Sequence, residues 1–349
     1  MTRKIRNVKI GKLELKNNAP IYIQSMTNTK TADRQSTLQQ ILSLTRCGCD
    51  IVRFSVPDEE SAKSIPFLKE NTSIPLVADI HFDYRLALQA AELGIDKIRI
   101  NPGNIGDKDR IKKVVQACKS RNIPIRVGVN SGSVEKHLLK KYGAPTPEAL
   151  CESALYHVRL LEQFDFYDTV VSIKASDVKN TIEANRLFAQ KTDYPMHIGV
   201  TEAGTEKMGI IKSAVGIGSL LCDGIGNTIR VSLTAPVEKE VSAARALLKA
   251  IGLCDGVDIV SCPTCARTNI DVQAIATKVE QLTQNMKKPL RVAVMGCAVN
   301  GPGEAKEADI GIAGGVGEAL LFKKGEIVCK IKEQDIIDVL MKEIEKMQQ

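Results

Sequence analysis

Apolar and polar positions alternate in short runs along most of the chain, and stretches of helical periodicity separate the runs. Residues 4–15 alternate around Gly11 and predict a small hairpin that could close one end of a barrel. From residue 20 a strand–helix rhythm repeats eight times. The predicted strands are Ile21–Met26, Asp50–Val56, Pro75–Ile80, Lys97–Asn101, Pro124–Asn130, Thr169–Lys174, Met196–Thr201 and Thr228–Leu233. Helical segments follow from near Ala32, Glu59, Tyr84, Lys108, Pro147, Val178, Lys207 and Val237. Eight units over about 230 residues match a (β/α)8 TIM-type barrel in count and length, with a doubly wound sheet as the alternative.

The parity within each strand favours the barrel. One parity is apolar: Val52, Phe54 and Val56; Ile98 and Ile100; Ile125, Val127 and Val129; Val171 and Ile173; Ile229, Val231 and Leu233. The other carries Arg53, Asp79, His81, Arg99, Asn101, Arg126, Asn130, Ser172, Lys174, Arg230 and Ser232. Strands covered by helices on both faces are apolar on both. A polar face therefore points into a barrel, whose upper end opens on the active site. Arg53, Arg99, Arg126, Lys174 and Arg230 then converge from five strands. Such cations repel strongly at low dielectric unless an anion sits among them. Guanidinium forks suit phosphate oxygens, and so many cations suit a diphosphate. Internal salt bridges to Asp79 and Glu202 are the competing explanation. Asn130, Asn101 and Ser232 add neutral donors. His81 shares the polar parity and reads as a site residue, whereas His197 lies early in its strand. Glu202 follows the seventh strand, where a catalytic acid or base would sit. His137 and His157 read as helix-surface residues.

Near residue 250 the rhythm changes, which divides the chain into a barrel over 1–250 and a smaller α+β domain over 251–349. The second domain predicts strands over Asp258–Ser261, Leu290–Gly296, Asp309–Ala313 and within Ala319–Ile331, and helices over Ile270–Gln284 and Glu333–Met347. Cys262-Pro263-Thr264-Cys265 follows its first strand. Thirty-one residues separate Cys265 from Cys297, and six more separate Cys297 from Glu304 in Gly301-Pro302-Gly303-Glu304. Two cysteines three apart hold one metal centre from a tight loop that Pro263 stiffens. Glycines near Cys297 let backbone amides approach a bulky inorganic core. Three thiolates suit an iron–sulfur cluster with one iron held differently; zinc would want a fourth Cys or His, and redox or structural thiols remain open. Cys47, Cys49, Cys118, Cys151, Cys222 and Cys254 read as small buried hydrophobes, and Cys329 as strand packing.

Composition narrows the classes. The net charge is +7, but there is no Trp, only 4% aromatic residues and no basic run interleaved with stacking groups, so nucleic acid is not the expected partner. No apolar run is long enough to span a membrane, and the N-terminus lacks an apolar signal core. A cytoplasmic protein is expected, with its ten cysteines serving as thiols and metal ligands. Topology adds an expectation about assembly. The last barrel helix runs away from the catalytic face, and eight residues reach only roughly 27 Å. A cluster acting at the barrel mouth must then come from another chain, in a head-to-tail homodimer.

The combination resembles a known family. Gln24-Ser25-Met26-Thr27-Asn28-Thr29, Val52-Arg53, Ala78-Asp79-Ile80-His81-Phe82, Arg99-Ile100-Asn101-Pro102-Gly103-Asn104, Arg126-Val127-Gly128-Val129-Asn130-Ser131-Gly132-Ser133 and Ser172-Ile173-Lys174-Ala175-Ser176 precede the cysteine domain. Together they resemble the bacterial 4-hydroxy-3-methylbut-2-enyl diphosphate synthases (the IspG/GcpE family), over nearly the whole chain. The large insertion of plant-type members is missing. The resemblance implies one 4Fe–4S cluster per subunit on Cys262, Cys265, Cys297 and Glu304. It implies 2-C-methyl-D-erythritol 2,4-cyclodiphosphate as substrate, held by Arg53, Arg99, Arg126 and Lys174, with Asn130, Arg230 and Ser232 assisting. Glu202 is the candidate proton handler, and His81 is expected to orient substrate. No nucleotide fingerprint appears, so electrons come from outside; the family uses reduced flavodoxin or ferredoxin. The alternatives are a phosphate- or pterin-binding barrel lyase or transferase with a structural zinc domain, and a non-catalytic iron–sulfur sensor.

Overall fold

The computed structural model describes residues 3–284, 286–297 and 306–348. It forms two compact units, residues 1–251 and 252–349. In the first, β1 (Val8–Ile10) and β2 (Leu13–Leu15) make an antiparallel hairpin turned by Gly11 at φ +55°. Val8, Ile10 and Leu15 pack on Ile51, Val77 and Val170 near the starts of their strands, so the hairpin plugs that end of the barrel.

Eight parallel strands follow: β3 (Tyr22–Met26), β4 (Ile51–Ser55), β5 (Leu76–Asp79), β6 (Lys97–Ile100), β7 (Ile125–Asn130), β8 (Thr169–Lys174), β9 (His197–Ile198) and β10 (Thr228–Ile229). Their spatial order is β8-β7-β6-β5-β4-β3-β10-β9. A parallel bridge between Val171 and Met196, with Val171 N donating to Pro195 O at 2.9 Å, closes the ring. The apolar parity packs outward: Val52, Phe54, Ile98, Ile100, Val127 and Ile173 are fully buried. The helices start where the pattern placed them, and aspartates fix several of those starts. Asp58, Asp107 and Asp177 accept from Ser61 N, Arg110 N and Asn180 N at 2.8, 3.0 and 2.7 Å. The second helical segment breaks into Glu59–Lys63 and Ile65–Glu70 just ahead of Pro66, which has no N–H to give.

β9 and β10 are shorter than expected. At Gly199 the backbone is so close to its neighbour that a Cβ would lie 2.5 Å from Arg230 O. The regular ladder stops there, and one later parallel bridge joins Thr205 to Thr234.

The second unit is a five-stranded sheet in the order β11 (Val257–Ser261), β12 (Leu290–Met295), β13 (Ile310–Gly314), β14 (Glu318–Lys323), β15 (Glu326–Lys332). β11–β13 run parallel; β14 and β15 are antiparallel. Lys324 and Gly325, at φ +47° and +82°, make the two-residue turn between β14 and β15. Helices Val272–Thr283 and Ile336–Gln348 cover one face, where Val279, Val292, Ile310, Ile312, Leu340 and Ile344 are fully buried. Cys329 does lie in a strand, but it is exposed, because β15 is the sheet edge and shows five exposed residues in succession.

Candidate functional site

The polar parity meets in a cavity of about 300 Å³ over the C-terminal ends of the barrel strands. Arg53, His81, Arg99, Arg126, Asn130, Lys174, Arg230 and Ser232 all line it. Strand register explains the gathering. Asp79 is paired with Arg99 and Arg99 with Arg126 across neighbouring strands, and Asn130 with Lys174 two pleat repeats further up. Gly128 gives Arg99 its room: a Cβ there would sit 2.8 Å from Arg99 Nε.

Of the five cations in this wall only three are ion-paired among the described residues, and to only two carboxylates. Asp79, 3% exposed, takes Arg99 Nη1 at 3.1 Å, Arg53 Nε at 3.7 Å and His81 Nε2 at 3.4 Å. Burial alone would push the Asp79 carboxyl up, but Arg53, the His81 hydrogen bond and Arg99 outweigh it and hold it well below the usual carboxylate range. The second carboxylate is Glu240, 4% exposed, which takes Arg230 Nε at 3.2 Å and Nη2 at 3.3 Å, with Ser25 Oγ at 3.0 Å and Leu233 N at 3.1 Å. Arg126 has no such partner. It is 1% exposed, and its Nε and Nη1 are buried with no hydrogen-bond acceptor among the described residues. Burial first, then Arg53 and Arg99, depress its pKa well below the ordinary value. Burial likewise brings Arg53 down to about 10 despite Asp79. An anion with several oxygens would satisfy these groups.

Several placements depart from the sequence reading. Glu202 is exposed, holds φ +52° and is not among the residues lining the cavity; Glu240 takes the neutralising part that had been offered for Glu202. Glu240 could have been found as the one acid on the buried face formed by Val237, Val241 and Ala244. Lys97, fully buried and sharing the parity of Arg99, was equally visible in the alternation; its Nζ lies 3.4 Å from Gln24 Oε1. Met26 was missed because a thioether is not sought as an acceptor, yet its Sδ faces Arg53 Nη2 at 2.9 Å and Arg230 Nη1 at 3.6 Å. His157 is not on the helix surface. It is fully buried with Nε2 2.5 Å from Glu135 Oε1, and Gly103 leaves space for its ring. Of the scattered cysteines, Cys49, Cys118 and Cys151 are buried, Cys47 and Cys254 are half-buried and Cys222 is exposed. The buried reading therefore fails at the last three, which lie in or beside turns at helix ends.

In the second unit, β11 and β12 are parallel neighbours, so the residues just past their ends come together. Cys262, Cys265 and Cys297 line one cavity of about 140 Å³. Gly296 N donates to Cys262 Sγ at 3.1 Å, and a Cβ on Gly296 would lie 2.9 Å from both Thr268 Cγ2 and Val272 Cγ2. Thr268 closes the cysteine loop by accepting from Cys265 N at 3.1 Å. Hydrogen bonds from Arg267 draw the exposed Cys265 thiol below its usual pKa. Among the described residues no three His, Cys, Asp or Glu side chains are gathered to hold a single metal ion. Glu304 lies outside the described residues. An amide directed at one sulfur and a thiol biased toward thiolate fit a metal–sulfur centre.

Residues 5–245 match the GcpE TIM-barrel domain and residues 258–346 the GcpE protein C-terminal domain. A protein of Caldanaerobacter subterraneus subsp. tengcongensis is 59% identical over 99% of this chain and 98% of its own. One of Clostridium perfringens is 56% identical over 99% of each. Both are named 4-hydroxy-3-methylbut-2-en-1-yl diphosphate synthase (flavodoxin). Among solved structures, 3-dehydroquinate dehydratase from Geobacillus kaustophilus superposes with a TM-score of 0.52 at 13% identity, over 72% of this chain and 98% of that one. Dihydropteroate synthase from Stenotrophomonas maltophilia gives 0.51 at 12%, over 70% and 98%. At those identities the likeness is one of barrel fold alone.

Proposed function

The chain belongs to the GcpE family of 4-hydroxy-3-methylbut-2-en-1-yl diphosphate synthases, and from that premise we propose how it works. The substrate is 2-C-methyl-D-erythritol 2,4-cyclodiphosphate, opened by two electrons and dehydrated to (E)-4-hydroxy-3-methylbut-2-enyl diphosphate. The observation that carries the substrate side is Arg126, a buried guanidinium with two unpartnered nitrogens in a wall rich in cations. Arg53, Arg99, Arg126 and Lys174 hold the diphosphate, while Asn130, Arg230 and Ser232 bond its outer oxygens. His81, tied to Asp79, orients the ring. Glu202 is assigned the proton of the departing hydroxyl, although it does not line the cavity of the free protein.

Cys262, Cys265, Cys297 and Glu304 would hold a 4Fe–4S cluster, one per subunit. When bound, such a cluster supplies single electrons and a Lewis-acidic iron. Reduced flavodoxin, or a ferredoxin, is the donor; both are acidic, and the +7 charge of this chain favours their approach. No described helix is long and apolar enough to cross a membrane, and the cytoplasm, where thiols stay reduced, is the proposed compartment. A homodimer in which each cluster domain caps the partner's barrel is supported by chain length: six residues separate Ala250 from Val257, a reach of roughly 25 Å at most. An exposed apolar stripe of Met208, Ile211 and Val215 on helix Glu206–Cys222 supports association. Light scattering that finds a monomer in the active, cluster-loaded protein would remove the capping arrangement.

The test of the whole reading is anaerobic purification, with visible and electron paramagnetic resonance spectra before and after adding the cyclodiphosphate under reduction. A brown protein with a new resonance on adding substrate is expected. A colourless protein containing zinc would overturn it in favour of a pterin- or phosphate-binding barrel, a reading that the full-length family matches do not favour.

A further inference from the structure

Lys174 ends β8 with its side chain buried at the cavity wall, and it stands within ion-pair distance of no carboxylate among the described residues. Its hydrogen-bond partner is His197 Nε2, 3.3 Å from Nζ. His197 is itself fully buried, and its Nδ1 lies 2.8 Å from Thr228 Oγ1. Gly199 makes the arrangement possible, since a Cβ there would sit 2.8 Å from Lys174 Nζ. The charges facing Lys174 are Arg126 from β7, Arg53 from β4, Arg230 beyond β10, and Glu240, which is already bound to Arg230. Lys97 on β6 adds to those facing His197.

We propose that Lys174 gains a proton as the anion enters the barrel cavity, with His197 serving both charge states through one contact. In the free protein His197 Nε2–H donates to a neutral Lys174 amine, and Nδ1 accepts from the Thr228 hydroxyl. In the loaded protein Nδ1–H donates to Thr228 Oγ1, and Nε2 accepts from the Lys174 ammonium. The pair gains one proton, taken from solvent. The entering anion is what reverses the sign of the field at Nζ. Arginines keep their protons throughout, so the lysine is the group that can respond. Burial and then the surrounding arginines already depress Lys174 well below its ordinary value, and burial and then Lys174 do the same for His197. Lys97 is also depressed, but it lies off the cavity lining.

This inference rests on the anion-site part of the proposed function and on nothing in the cluster chemistry. The test is calorimetric titration of inorganic pyrophosphate into the cluster-loaded protein, in buffers of different ionisation enthalpy, for wild type and Lys174→Arg. Pyrophosphate's own ionisation is common to both. The wild type is expected to take up a measurable fraction of a proton more per ligand than the arginine variant. Its affinity relative to that variant should fall by up to about tenfold per pH unit as pH rises between the free and bound pKa values. Equal proton counts would overturn the proposal, while failure of the wild type to bind pyrophosphate would remove the anion site and the proposal with it. His197→Phe and His197→Gln give a second reading should Lys174→Arg fold poorly. The phenylalanine should weaken pyrophosphate binding and the glutamine, which keeps an acceptor, should restore it; wild-type binding in both would remove His197 from the role.

Discussion

The barrel cavity and the cysteine cavity are organised by different forces. Arg99, Arg126 and Lys174 lie on strands, 1–9% exposed, and are held in place by the pleat before any ligand arrives, Arg99 alone of the three being paired, to Asp79, among the described residues. The three cysteines follow strand ends in loops: Cys262 is half-buried, Cys265 exposed and Cys297 buried. The first site holds like charges together at a cost in stability, and its ligand relieves that cost. The second exposes ligand atoms that a bound centre would itself cross-link. Substitutions should therefore separate stability from binding in the barrel, and cofactor from fold in the cysteine unit.

The largest effect is expected at Cys297. Replacement by Ser should abolish visible absorption and turnover together, because a hydroxyl is a poor substitute for a thiolate on iron. Pyrophosphate binding to the barrel, followed by calorimetry, should stay unchanged. A parallel loss of pyrophosphate affinity would show that the two regions are not independent.

Asp79→Asn tests the barrel's internal pairing. Removing one partner from a buried ion cluster typically costs about 3–5 kcal/mol. Urea unfolding should show a destabilisation of that order at neutral pH. The folded pKa of Asp79 lies below the unfolded value of about 3.9, so its contribution is fully present above that pH. It is lost as pH falls through the folded value, and the gap between wild type and Asp79→Asn should narrow only in acid. A gap that closed between pH 6 and 8 would contradict the assignment.

Arg126→Ala should disturb stability less than Asp79→Asn does. It removes an unpartnered buried cation, so the free protein should lose less stability than an ordinary large-to-small core change, which costs about 2–5 kcal/mol. Substrate binding should still weaken by roughly 1.5–3 kcal/mol, typical of charge-assisted bonds. An unchanged KM would remove Arg126 from the site.

The two regions also differed in how far the chain could be read. Strand alternation placed Arg53, Arg99, Arg126 and Lys174 correctly because a period of two leaves little choice of face. The Cys-Pro-Thr-Cys spacing and the end of β12 likewise placed the cysteines together. What escaped were groups whose burial contradicts their type. His157 falls on the same helix stripe as Leu150, Ala154 and Leu161, so periodicity pointed inward while its polarity suggested solvent. Its partner Glu135 comes from another segment, a long-range fact that no local pattern carries. Cys329 failed the other way: alternation marked a strand, but not that the strand would be an uncovered edge.

The smallest effect, and the sharpest for the comparison, concerns Glu202. It is a non-glycine residue held at φ +52°, whereas among the described residues of 257–297 no such residue occurs. A left-handed conformation costs a side chain roughly 1–2 kcal/mol, part of which glycine's larger unfolded-state entropy would offset. Glu202→Gly should therefore stabilise the barrel by a net amount of about 0.5–1 kcal/mol, read as a rise in Tm. Glu202→Gln keeps the strain and should leave Tm unchanged. If the carboxylate handles the departing proton, both variants lose turnover although they differ in stability. Turnover retained by the glutamine variant would make Glu202 a strained turn residue only, and proton transfer would have to be sought among the groups that do line the cavity.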